Sequence, residues 1–168
     1  MRSTVRLRLA RLEDANKLWE WRNEEETRAA SFNTDPIRYE DHLQWFEKRI
    51  KDLSFRFLIV VDERDQEVGY ARLDVSGDSA HISLSIDRKC RGRGLGTKLI
   101  QAATEFAHRE LSVARVVARI RSTNQASLTA FRRAGYTLSG DRRLHGTDAL
   151  EMISDRNATK TKLQEIPI

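Results

Sequence analysis

Val5, Leu7 and Leu9 alternate with Arg6 and Arg8 near the start of the chain, the period-two pattern of a strand with one buried face. From about Glu13 the spacing lengthens to that of a helix, with Leu12, Ala15, Leu18 and Trp19 on one side. Asn33-Thr34-Asp35-Pro36 is turn chemistry and ends it. A second helix is predicted from about Tyr39, burying Leu43, Phe46 and Ile50. Phe55 to Val61 is a short, nearly continuous apolar run, which suits a central strand. Asp62 to Gln66 turns the chain into a strand from Glu67 to Val75. Ser76-Gly77-Asp78 is then a tight hairpin signal leading to a strand from about Ala80 to Ile86.

Residues 94 to 109 carry the strongest amphipathic stripe, made of Leu95, Leu99, Ala102, Ala103 and Phe106. Ala114, Val116, Ala118 and Ile120 alternate as a strand. Asn124 is placed to cap a helix running to Ala134, where Gly135 stops it. From Tyr136 the pattern is a hairpin turning at His145-Gly146-Thr147-Asp148, and the tail from Asp155 is polar and loose. The order is strand, two helices, three strands, helix, strand, helix, then strands. That order predicts an α+β domain around a mostly antiparallel sheet, in one unit over residues 1–168.

Composition narrows the class. A hydrophobic fraction of 39% and a charged fraction of 33% suit a soluble globular protein, and no apolar run is long enough to span a bilayer. Met1-Arg2-Ser3-Thr4 runs straight into the alternation without a signal-peptide block. Cys90 is the single cysteine, which excludes an internal disulfide framework and a cysteine-rich zinc site. A cytoplasmic protein without membrane partner or metal is expected. The net charge of +5 comes from 30 basic and 25 acidic residues, interleaved as in Arg22 before Glu24-Glu25-Glu26. That describes a mixed-sign surface and no nucleic-acid partner. The exception is Arg88-Lys89, Arg91 and Arg93, which sit among glycines and suit a phosphate-bearing small molecule.

The segment Arg91-Gly92-Arg93-Gly94-Leu95-Gly96-Thr97 joins a strand to the best helix. Glycines let backbone N–H groups approach an anion, and a helix start adds unpaired donors and a positive dipole end. The order Gly96-Thr97-Lys98 is wrong for a Walker A loop, and Gly92, Gly94 and Thr97 miss the dinucleotide spacing. Arg91, Gly94 and Gly96 do fit R-x-x-G-x-G, which resembles the acetyl-CoA pyrophosphate loop of the GNAT superfamily of N-acetyltransferases. A second motif follows in the order of that superfamily: a strand, then Asn124, Ser127, Phe131 and Gly135-Tyr136 on a helix. The resemblance covers roughly residues 4 to 154.

The resemblance implies the GNAT fold, a sheet of about seven strands flanked by about four helices. It also implies acetyl-CoA as co-substrate and direct attack by a primary amine. Leu84, Ser85 and Ile86 would lie along the pantetheine arm, one backbone N–H polarising the thioester carbonyl. Residues Arg91, Gly92, Arg93, Gly94, Leu95, Gly96 and Thr97 would hold the diphosphate, with Asn124, Ser127 and Phe131 beside the arm. Many members carry a tyrosine where this chain has Phe131, whose hydroxyl protonates the departing thiolate. Here Ser127, Tyr136 or water is left for that task. His81 and Asp74, facing each other across the predicted hairpin, are the candidate bases. His108, His145 and Cys90 receive no role.

For the acceptor, Trp21-Arg22-Asn23 and the helix Glu40-x-His42-x-x-x-Phe46 resemble the sugar-nucleotide N-acetyltransferases of the pseudaminic acid pathway. That likeness implies a UDP-linked amino sugar acetylated at its 4-amino group, bound by Trp21, Arg22, Asn23, Phe32, His42 and Trp45. A protein N-terminus or an aminoglycoside is the alternative acceptor. A silent acyl-CoA-binding regulatory module is the reading that Phe131 keeps open. An edge strand in the C-terminal hairpin would allow a homodimer.

Overall fold

The computed structural model describes residues 4–157. In chain order they form β1 (Arg6–Leu9), α1 (Ala15–Asn23), α2 (Glu25–Ala30), α3 (Tyr39–Arg49), β2 (Phe55–Val61), β3 (Glu67–Ser76) and β4 (Ser79–Ile86). There follow α4 (Leu95–Glu110), β5 (Arg115–Arg121), α5 (Gln125–Arg133), β6 (Thr137–Leu144) and β7 (Thr147–Asp155). The strands make one sheet in the order β1-β2-β3-β4-β5-β7-β6, antiparallel throughout except at β4–β5. The expected α+β class and strand count hold.

The apolar run of β2 is buried on both faces. Leu58 and Val60 join a core with Leu95, Leu99, Ile100 and Ala103 of α4 and Leu128 and Phe131 of α5. Phe55, Phe57, Ile59 and Val61 join the other core, with Ala15, Leu18 and Trp21 of α1 and Phe46 of α3. The molecule is therefore three layers, α1/α3, sheet, and α4/α5. Each fully buried Leu or Ile of α4 contributes about 1.5–3 kcal/mol.

The single helix expected after Glu13 is broken. Asp14 belongs to a short 3₁₀ turn, and Glu24, with ψ 135°, separates α1 from α2. Both ends of the Asn23 amide are pinned by Ile37: Nδ2 donates to its carbonyl at 2.7 Å, and Oδ1 accepts its N–H at 2.8 Å. The buried stripe is also rotated, to Ala15, Leu18 and Trp21, leaving Leu12 exposed. The last hairpin turns on His145-Gly146 alone, both at positive φ (49° and 74°), as a two-residue primed turn requires. It leaves β6 as an edge. Asp155, where the loose tail was expected to begin, is still the last residue of β7. Residues 158–168 and 1–3 lie outside the described residues.

Two details of β4 prepare the site. On one side it pairs with β3 along its whole length, from Ser79↔Ser76 to Ile86↔Gly69. On the other it pairs with β5 only from Ser79↔Arg115 to Ile82↔Ala118, although both strands run on. The sheet parts beyond Ile82. Gly69 allows β3 to hold the free half of β4 closely, because a Cβ there would collide with the Ser85 carbonyl and stand 3.0 Å from Ile86 Cα. Gly69→Ala is expected to cost about 1–3 kcal/mol of stability, as overpacking does. That is roughly 2–12 °C in Tm for a domain of this size. An unchanged calorimetric Tm would show that the two strands separate without strain.

Candidate active site

The parted strands open into a cavity of about 1240 Å³. Its wall includes residues 82–86 of β4, residues 118–120 of β5, the segment from Arg91 to Thr97 apart from Arg93, and the first turns of α5. Because β5 has left, the outer hydrogen-bonding edge of residues 83–86 has no strand partner. An extended ligand lying in the gap would meet those groups as a substitute strand.

The glycine-rich turn lies at one end of the cavity. Gly92 (φ 73°) and Gly94 (φ 71°) are in the left-handed region, which is why glycine stands there. A Cβ on either would meet nothing within 4 Å, so the turn has open space in front of it. The N–H groups of Gly92, Arg93 and Gly94 donate to no backbone carbonyl recorded among the described residues. The first turn of α4 adds further N–H groups that an α-helix leaves unpaired. This is a concave array of donors at a positive dipole end, suited to a diphosphate. On α5, Asn124 Oδ1 accepts from Ser127 N at 3.1 Å and caps the helix, and both residues line the cavity with Phe131.

The arginines of the turn differ from expectation. Arg91 lines the cavity, but its guanidinium is already held by Glu24, Glu26 and Thr27 of the α2 region, and its Nε donates to Ile86 O at 3.1 Å. Arg93 is exposed and off the wall. The backbone of the turn thus carries the anion-binding geometry, while Arg91 ties α2 to it.

Residues of α1–α3, β3 and β4 supply further parts of the wall. Arg22, Phe32, His42 and Trp45, four of the residues assigned to the acceptor, line the cavity. His42 is buried, stacks on Phe46, and its Nε2 meets Ala15 O at 2.9 Å. Burial pushes its pKa below that of a free imidazole, so the ring is neutral and donates. Two predicted acceptor residues are elsewhere. Trp21 is a core residue, stacked on Tyr70 with Nε1 donating to Asp87 Oδ2 at 2.8 Å. Asn23 is consumed by Ile37, as described.

Neither candidate base reaches the cavity wall. His81 and Asp74 do face each other, but at a register where β4 is still zipped to β5 through His81↔Val117, before the gap opens. Asp74 is bound to Arg49 and lies 3.2 Å from Arg72 Nε. Burial, with the Arg119 charge second, holds the His81 pKa below its usual value. Tyr136 is likewise off the wall. It is buried under Phe131, its hydroxyl 2.7 Å from Thr104 Oγ1, and burial raises its pKa well above that of a free phenol. Of the hydroxyls proposed for the leaving thiolate, only Ser127 lines the cavity.

Sequence reasoning missed Tyr70 and Arg72, both on the wall. They alternate with Ala71 and Leu73 on β3, and the period-two row Tyr70, Arg72, Asp74 opposite an apolar row was the available signal. Arg22 Nη1 and Arg72 Nε are buried without a hydrogen-bond partner among the described residues. Such groups cost about 1–3 kcal/mol each unless something satisfies them.

Residues 4–137 match the model of the acetyltransferase (GNAT) domain. The chain belongs to the GNAT acetyltransferase family. This GNAT chain is an N-acetyltransferase, similar to curated enzymes of that activity. It is 31% identical over 118 residues to an L-methionine sulfoximine/L-methionine sulfone acetyltransferase of Pseudomonas aeruginosa, covering 66% of this chain and 67% of that one. It is 29% identical over 118 residues to a putative phosphinothricin acetyltransferase of Bacillus subtilis, covering 66% and 69%. The fold superposes on AAC(6′)-Ib in complex with ribostamycin and coenzyme A (TM-score 0.85, 21% identity, 97% of this chain and 99% of that). It also superposes on spermidine N-acetyltransferase from Vibrio cholerae with CoA and spermine (TM-score 0.84, 17% identity, 92% and 96%). Among the described residues no group of three or more His, Cys, Asp or Glu side chains could hold a metal, and no helix is long and apolar enough to cross a membrane.

A general base is worth about 10²–10⁴ in rate. Because His81 lies outside the gap, His81→Ala is expected to keep kcat/KM within about threefold of the parent, with an unchanged pH profile, well short of that range. A hundredfold loss with a displaced acidic limb would return His81 to the proton path.

Proposed function

We propose that this GNAT enzyme transfers the acetyl group of acetyl-CoA to a primary amine of a small acceptor, by direct attack within the cavity. One observation carries the reading: the unpaired edge of β4 and the donor-lined turn open into the same cavity. Acetyl-CoA supplies a thioester carbonyl activated toward amines. The chain's own groups then have separate tasks. The backbone N–H groups from Gly92 to Thr97 bind the diphosphate, and the free edge of residues 84–86 orients the pantetheine arm. An N–H of that edge donates to the thioester carbonyl where charge develops, the oxyanion-hole effect. The Asn124-capped start of α5 and Phe131 wall the other side of the arm.

Proton movement falls to few groups. Phe131 has no exchangeable proton, so we assign to Ser127 the relay of a proton from solvent to the departing thiolate, its hydroxyl taking a solvent proton as it gives up its own. With His81 and Asp74 outside the gap and His42 bonded to Ala15 O, the amine enters already deprotonated or loses its proton to solvent. Rate is then expected to rise with pH through the acceptor amine's own titration.

The acceptor half supports a small amine. The curated relatives are named for methionine sulfoximine and phosphinothricin, and the superposed structures hold spermine or ribostamycin. The UDP-linked amino sugar suggested by the Trp21-Arg22-Asn23 element keeps Arg22, Phe32, His42 and Trp45 as wall residues and loses Trp21 and Asn23.

Gly94→Asp tests the coenzyme half, since it sets a carboxylate in front of the donor array. The side chain has open space, but φ 71° strains any residue other than glycine, so Gly94→Ala, with the same strain and no charge, is the control. Acetyl-CoA affinity by titration calorimetry is expected to fall about tenfold or more, at least 1.4 kcal/mol. Undiminished binding would remove the turn from the coenzyme site. Ser127→Ala is expected to lower kcat by about tenfold or more while acetyl-CoA affinity holds, the mark of proton transfer in the transition state.

A further inference from the structure

Arginine dominates the charge on the cavity wall. Arg22, Arg72, Arg91, Arg119 and Arg133 line it, against Glu26 and Asp41. Most of this is internally settled: Arg91 holds Glu26, Arg119 holds Glu151, and Asp41 is exposed to solvent. Arg22 and Arg72 differ. Arg22 Nη2 donates to Asn33 O at 2.9 Å, while its Nη1 is buried with no partner. Arg72 Nε is also buried without a hydrogen bond. Asp74 Oδ2 stands 3.2 Å away but off the donor's line, and Asp74 is shared with Arg49. Burial, with the Arg72 charge as a lesser cause, lowers the pKa of Arg22, and both guanidinia draw down the phenol of Tyr70, which burial otherwise raises. No carboxylate of the wall answers them.

Two half-buried guanidinia on the wall of an open cavity, each with one N–H that has no hydrogen-bond partner among the described residues, are the complement of an anion. We propose that the acceptor is an anionic amine, whose carboxylate or phosphate-type group is held by the wall-lining guanidinia of Arg22 and Arg72 while its amine reaches the gap beyond Ile82. The inference rests on the acetyl-CoA reading of the cavity and specifies its acceptor. Arg22 and Arg72 come from α1 and β3, whereas in the coenzyme reading the diphosphate is served by the backbone donors of the glycine turn. Phe32, Trp45 and the neutral His42 wall the rest of the chamber. A polycationic amine would add positive charge beside Arg22, which has no carboxylate partner among the described residues, and beside Arg72, which shares Asp74 with Arg49.

Thiol release at saturating acetyl-CoA tests this with three groups of acceptor. L-Glutamate and L-methionine sulfone present a carboxylate, a UDP-linked amino sugar presents a diphosphate, and spermidine and kanamycin present only positive charge. One anionic group is expected to exceed the cationic group in kcat/KM by about tenfold or more, and which one wins identifies the anion. Capping the carboxylate as the amide, or removing the nucleotide, should abolish that advantage. Arg22→Ala and Arg72→Ala are each expected to raise the KM of the preferred acceptor about tenfold or more with the KM of acetyl-CoA unchanged. Arg22→Lys should recover part of the loss and serves in place of Arg22→Ala should that variant fail to fold. Equal or better turnover of spermidine or kanamycin overturns the proposal, as does an equal rise in both KM values. If calorimetry finds no acetyl-CoA binding to the parent protein, the coenzyme reading falls and takes this proposal with it. Retained coenzyme binding with every anionic amine refused overturns the proposal alone.

Discussion

The active site exists because β4 and β5 stay paired over only four register positions. Beyond Ile82↔Ala118 each strand keeps its outer partner, β4 with β3 to Ile86 and β5 with β7 to Arg121. The sheet behaves as two halves hinged at residues 79–82. An unpaired inner strand edge is expensive where water cannot reach it, so the gap is stable only as an opening to solvent or ligand. Gly69 fixes how near β3 draws the free part of β4. The position of the unpaired β4 backbone is thereby set from behind the cavity.

The same gap explains the layout of the N-terminal helices. α2 lies near both parted strands. Arg91, after β4, reaches Glu24, Glu26 and Thr27, while Arg121, at the end of β5, donates to the carbonyls of Ala29 and Ser31. Thr27 Oγ1 also lies 3.3 Å from Ser85 Oγ on β4. Trp21 adds a link from α1 to Asp87, just ahead of the glycine turn. Charge that seemed, in the sequence, available for phosphate is spent on this strapping.

Local features were legible from the chain and long-range ones were not. The apolar run of β2, the stripe of α4, the Asn124 cap and the glycines at positive φ follow from the residues nearby. The break at Glu24 has no proline or glycine to announce it, because its cause is Ile37, fourteen positions from Asn23. Trp21 was given to the acceptor, yet its partner Asp87 is 66 positions away, and helical periodicity alone does not say which tryptophan of a pair faces the core. His81 failed for a related reason. Its residue type suits a base, but the register at which β4 leaves β5 is a tertiary fact.

That register also separates structural charge from functional charge. Arg119 and Glu151, Arg49 and Asp74, and Arg91 with Glu24 and Glu26 each satisfy one another, and such pairs place elements without needing a ligand. Arg22 and Arg72, one from α1 and one from β3, each keep an N–H without a hydrogen bond among the described residues after those pairings are made, Arg72 sharing Asp74 with Arg49. Folding tolerates them because each keeps one contact, with Asn33 O or beside Asp74. It does not exhaust them. A net positive sequence charge says little about partners when most of it is compensated locally, whereas buried donors left over on the wall of a cavity indicate what must arrive from outside.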